Sequence, residues 1–218
     1  MKKLLLFVFF STMNLLLYGQ NWQQVQIDSV VACKLPAGWQ KNTEGNKLSW
    51  RATSGFGNIM IFKTEDNPRV IPDMEKDRHL KAYYNDYVAN VRKSAKGSSI
   101  TDERDTVIDE LRFKDFKLQT DSGSGKQYRD FRIFHVNGAT YTFEFLYNDI
   151  QREYAIPERT LFFNAISVDE QMGRKDQFTH NDNPKPGAER RRNLHTGLII
   201  GTTILIVLIF IFVRRRKD

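Results

Sequence analysis

The run from Thr196 to Val213, TGLIIGTTILIVLIFIFV, most constrains how this chain can be arranged. It is eighteen residues without a charge. As a helix at ~1.5 Å per residue it reaches about 27 Å, close to the ~30 Å hydrocarbon core of a bilayer. Arg190, Arg191 and Arg192 precede it, and Arg214, Arg215, Arg216 and Lys217 follow it. Basic clusters at both ends suit two water interfaces rather than a protein interior. The reading is one transmembrane helix over 196–213 with a basic cytoplasmic tail over 214–218. Gly197 and Gly201 stand at the G-x-x-x-G spacing that lets helices approach closely, which makes a homodimer through the span a hypothesis.

Residues 1–19 have the order of a bacterial-style export signal: Lys2 and Lys3, the apolar run Leu4–Phe10, then a cut after Gly19. Leu17 stands where such a site prefers a small residue, so an uncleaved anchor is the alternative. Either way residues 20–170 are expected outside the cytoplasm as one domain, periplasmic or extracellular. Residues 171–195, rich in Asp, Asn, Pro, Lys and Arg, are expected to be a flexible polar and basic tether.

The net charge of +7 belongs to the membrane flanks. Of 33 Lys and Arg, two lie in the signal and eight lie beyond residue 184 (Lys185 and the seven flanking the span), leaving 23 in residues 20–184 against 24 Asp and Glu. A domain near −1 does not read as a nucleic-acid binder. Cys33 is the one cysteine, so no intrachain disulfide can form, and its apolar strand context predicts a buried thiol.

Within the domain, strands are expected at Trp22–Ile27, Ser29–Leu35, Leu48–Ala52 and Asn58–Lys63. Asp73 is the expected N-cap of a long helix running to Lys96 and stopped by Gly97. Its Leu80, Tyr83, Tyr84, Tyr87, Val88 and Val91 share one face, which should pack on a sheet. Thr106–Thr120 reads as one strand with a bulge near Lys114 and Asp115, where alternation breaks. For the hairpin over Tyr128–Tyr147, a three-residue loop Val136-Asn137-Gly138 keeps Phe131 and Ile133 on one face with Tyr141, Phe143 and Phe145. A two-residue turn would set Arg132 opposite Phe143. Pro157 suits the first turn of a short last helix to Asn164, packed through Leu161, Phe162 and Ala165.

The strand running into Leu35-Pro36-Ala37-Gly38-Trp39, the Asn137-Gly138 hairpin, and the helix closing on Phe162-Phe163-Asn164-Ala165-Ile166-Ser167 together resemble the PsbP-like family and the Ran-binding import factor that shares its fold. The resemblance spans about residues 22–168. It implies an α+β sandwich, an antiparallel sheet packed with one long and one short helix, and binding or assembly roles rather than catalysis. The C-terminal span is not part of that pattern, and the resemblance assigns no binding residues.

No H-E-x-x-H, C-x-x-C, G-x-S-x-G or calcium-loop pattern occurs, so no catalytic, metal or cofactor residues are assigned. His135 is expected at the rim of the hairpin turn. Asp102, Glu103 and Asp105 read as a solvated loop. The expectation is a membrane-anchored binding or assembly module whose partners are the bilayer and an envelope protein or small ligand. The alternative is a tethered hydrolase using carboxylates with His79 or His135. A third reading makes the span and tail a sorting signal removed on transfer to the cell surface.

Overall fold

The structure, a computed structural model, describes residues 21–45, 47–67, 74–95, 97–121, 123 and 125–179. The signal, the span with Gly197 and Gly201, and the seven flanking basic residues lie outside the described residues. Among the described residues no helix is long and apolar enough to cross a membrane.

The fold is α+β. Strands β1 (Trp22–Gln26), β2 (Val31–Pro36) and β10 (Ser167–Val168) form a small sheet in the order β1-β2-β10. The main sheet holds β3 (Gln40–Glu44), β4 (Lys47–Thr53), β5 (Asn58–Glu65), β6 (Ser99–Ile108), β7 (Leu111–Asp121), β8 (Lys126–Val136) and β9 (Ala139–Asn148). Its order is β3-β4-β5-β9-β8-β7-β6, antiparallel throughout. Helix α1 (Asp77–Ser94) covers one face; the small sheet and α2 (Arg152–Asn164) cover the other.

Two cores follow from this layering. Cys33, Leu35, Trp50, Ile61, Phe134, Tyr141, Phe143, Phe145 and Phe162 fill the first. Leu80, Tyr84 and Val88 of α1 meet Phe116, Leu118, Phe131 and Ile133 in the second, with Tyr83, Tyr87 and Val91 partly buried around them. The aromatic face of the long helix therefore packs on the sheet, as its spacing predicts. The buried Cys33 thiol is pushed up to about 12 by burial.

A sheet covered on both faces explains where the sequence reading fails. The hairpin has the two-residue turn Asn137-Gly138, both residues at positive φ (50° and 68°), so Val136 pairs with Ala139, Phe134 with Tyr141 and Arg132 with Phe143. The expected three-residue loop would keep Phe131 and Ile133 with Phe143. Instead they enter the α1 core while Phe134 and Phe143 enter the other. The same reason removes the bulge expected near Lys114: Phe113 and Phe116 serve opposite faces of β7, and the β7–β8 register runs unbroken from Lys114 to Asp121. The expected single strand is the hairpin β6–β7, turned at Asp109 and Glu110, and the irregularity lies on β6 between Thr101 and Arg104.

Helix α1 begins at Asp77 after Lys76, without a side-chain cap, rather than after Asp73, which lies outside the described residues. Helix α2 begins at Arg152, so Pro157 falls inside it, and Leu161 is exposed while Phe162 is buried. Nor does the folded unit end at residue 170. Gln177, expected in the tether, is fully buried: its side chain bonds Arg112 N (2.8 Å), Arg112 O (2.9 Å) and His135 O (3.0 Å).

Gly57 sits against the core. A Cβ there would lie 2.5 Å from Phe145 Cε1 and 2.9 Å from Leu146 O. Gly57→Ala should therefore destabilise by about 1–3 kcal/mol, read as a lower urea midpoint with unchanged slope.

Candidate functional site

Strands β8, β7 and β6 form one end of the main sheet. There α2 and strands β6–β8 leave a cleft of about 500 Å³, lined by Arg104, Asp115, Asp130, Arg132, Arg159 and Asn164 among others. Helical spacing places Arg159 with Phe163, and Thr160 with Asn164, along its wall. Strand spacing and register place Asp130 and Arg132 of β8 on one face with Asp115 and Lys117 of β7.

The floor has a saturated half and an unsaturated half. Asp115 accepts two charge-assisted bonds from Arg132, Nε to Oδ1 at 2.8 Å and Nη2 to Oδ2 at 2.9 Å, and Thr106 Oγ1 adds a third at 3.2 Å. Arg132 donates its Nη1 to Phe163 O at 3.1 Å, so this buried pair is held from both ends. Asp130 differs. Only 8% of it is exposed, its Oδ1 lies 3.5 Å from Arg159 and 3.8 Å from Lys117, and its Oδ2 has no hydrogen-bond partner among the described residues. Burial outweighs these neighbours and raises the Asp130 carboxyl above the ordinary carboxylate range.

Two guanidinia are only lightly engaged. Arg104 donates both Nε and Nη2 to Asp115 Oδ2, each only at 3.4 Å and with its side chain 69% exposed, and Arg159 has the 3.5 Å contact above. A guanidinium offers five N–H donors, so most of theirs remain to be used.

The carboxylates expected in a loop lie on β6, at its irregularity, and are paired. Lys117 holds Asp102; Lys114 holds Glu103 at 2.8 Å and Asp105 at 3.1 Å. Charged pairs across an edge strand are a common guard against edge-to-edge association. His135 is no rim residue: it is fully buried, with Nε2 2.9 Å from Asp66 Oδ2 and Nδ1 3.0 Å from Gln177 O. The first of these contacts ties it to the end of β5, the second to the C-terminal segment. His79 accepts a 3.2 Å bond from Arg78 Nε. Neither histidine lines the cleft, and no group of three or more His, Cys, Asp or Glu among the described residues could hold a metal.

Sequence reading missed Asp115, Asp130, Arg132 and Arg159. The signal for them in the sequence is the two-residue turn at Asn137-Gly138, which sets Arg132 opposite Phe143. An arginine there requires a buried counter-charge, which Asp115 supplies.

No protein-family model matches the chain, and no curated protein is similar to it. Cyanobacterial PsbP from Synechocystis sp. PCC 6803 is similar in structure, with a TM-score of 0.51 at 11% identity, over 71% of this chain and 95% of that one. A Pseudomonas aeruginosa protein of unknown function aligns at 0.41 and 10% identity, over 64% and 92% of the two chains. LpqN of Mycobacterium tuberculosis, involved in cell envelope biogenesis, aligns at 0.38 and 9% identity, over 68% and 90%. The likeness to cyanobacterial PsbP is one of fold.

Proposed function

We propose that this chain is a membrane-anchored binding module, its folded domain outside the cytoplasm, with the α2–β8 cleft as its ligand site. The observation that carries this reading is the unsaturated half of the cleft, where one buried carboxyl oxygen, the half-buried guanidinium of Arg159 and the exposed one of Arg104 lack full partners. Such groups are normally satisfied inside a protein, and polar groups converging in a concave site are the usual mark of a ligand position. Anchoring is argued from the apolar run 196–213 and its basic flanks, and export from residues 1–19.

The test is topology in intact cells. Full-length protein should stay with membranes through alkaline carbonate washing, and its folded domain should be cut by protease added outside. Deletion of 196–213 should release it into the soluble fraction. A domain protected from outside protease, or a full-length protein already soluble, contradicts this arrangement.

A further inference from the structure

We infer that the cleft binds a small oxyanion, a carboxylate or a tetrahedral phosphate or sulfate group, on the guanidinia of Arg104 and Arg159, with Asp130 taking up a proton as the anion enters. This rests on the cleft being a ligand site and names what it takes. Donors with spare capacity outnumber free acceptors there. Arg132 is committed to Asp115 and Phe163, but Arg104 meets Asp115 only at 3.4 Å, on an oxygen already bonded at 2.9 Å by Arg132. Arg159 meets Asp130 at 3.5 Å. Thr160 and Asn164 line the same wall. Planar guanidinium forks match two oxygens of a carboxylate or phosphate at once.

The groups facing Asp130 come from every element around it: Lys117 on β7, Arg159 on α2 and Tyr147 on β9, with Asp102 on β6 reached through Lys117. Arg159 and Lys117 both face Oδ1 and the Tyr147 hydroxyl is a further donor to this carboxyl, while Oδ2 has no hydrogen-bond partner among the described residues and is the oxygen open to a proton. Arg104, Lys114, Lys117, Arg132 and Arg159 balance Asp102, Glu103, Asp105, Asp115 and Asp130 when all are ionised. Protonating Asp130 leaves one positive charge in excess and frees Arg159 from its countercharge. An anion entering beside Asp130 therefore favours that protonation, and lower pH favours the anion. The carboxyl is already predisposed, since burial raises it.

The experiment is calorimetric titration of full-length protein in detergent with sulfate and with acetate, alongside tetramethylammonium and glycerol, at about pH 5.5 and about pH 7.5 in buffers of different ionisation enthalpy. Sulfate, ionised at both pH values, should bind about tenfold tighter at the lower pH, with proton uptake that vanishes in Asp130→Asn. That variant should bind sulfate at the wild-type low-pH affinity at both pH values. Arg159→Gln should weaken sulfate about tenfold or more while the melting curve stays cooperative. The stronger of sulfate and acetate identifies the tetrahedral or the planar source. Sulfate binding that ignores pH, or that Asp130→Asn abolishes, overturns the proton coupling. Binding of tetramethylammonium or glycerol in place of both anions overturns the ligand class and leaves the binding module standing. Silence from all four probes overturns both.

Discussion

Asp115→Ala should be among the most damaging single changes in this domain, destabilising it by about 3–5 kcal/mol, while Asp130→Asn should cost little or stabilise it. Both are carboxylates buried on the same face of the neighbouring strands β7 and β8, but in different circumstances. Asp115 answers Arg132, whose side chain is only 10% exposed and bonded at 2.8 and 2.9 Å. Removing it leaves a buried guanidinium without its counter-charge, the expensive way to break such a pair. Asp130 is held above its unfolded range by burial, so its ionised form opposes folding. Its contribution is favourable below the unfolded value and is lost as pH rises through the folded one, and Asn removes that dependence. Urea unfolding of both variants near neutral pH checks the contrast. Equal losses would make Asp130 a structural partner like Asp115 and remove the ground for a ligand there.

The second large effect is a pH dependence seated under α1. Glu144 of β9 is 1% exposed, its Oε2 lies 3.5 Å from Arg129 Nη1, and its Oε1 has no partner among the described residues. Burial pushes it up from 4.5 to about 7, with Arg129 pulling the other way. The raised value means the folded state holds the proton longer than the unfolded chain. The stabilisation is complete below about 4.5 and is lost as pH rises through about 7. At ~1.4 kcal/mol per unit the loss across that window is about 3 kcal/mol. Urea midpoints measured across it should fall in the wild type and fall much less in Glu144→Gln. Parallel curves for the two proteins would show that Glu144 is ionised throughout.

Much of the scaffold was legible because hydrophobic spacing reports burial directly. The Leu80–Tyr84–Val88 face and the buried thiol of Cys33 both follow from it. What it could not report are elements without an apolar pattern. Every residue of β3 is exposed, so nothing in its spacing marks a strand. Gln177 docks through amide hydrogen bonds rather than apolar contact, so residues 171–179 looked like tether. The hairpin register failed for a deeper reason. Assigning one apolar face per strand assumes one core, whereas β8 feeds two, with Phe131 and Ile133 on one side and Phe134 and Val136 on the other. The cleft was hidden by the same assumption, because Asp115, Asp130 and Arg132 look like solvent-facing residues until both faces are known to be covered.

The most direct test of the account is the arginine Nε–Hε NMR spectrum of the full-length protein during a sulfate titration. Three guanidinia border the cleft, and the structure separates them by how firmly they are engaged: Arg132 makes three bonds of 2.8–3.1 Å to Asp115 and Phe163, whereas Arg104 and Arg159 make only contacts of 3.4 Å or longer. The account predicts that Arg104 and Arg159 shift together with one dissociation constant while Arg132 stays in place. Shifts spread evenly over exposed arginines, or none at Arg159, would contradict it and make the cleft a purely structural meeting of ion pairs.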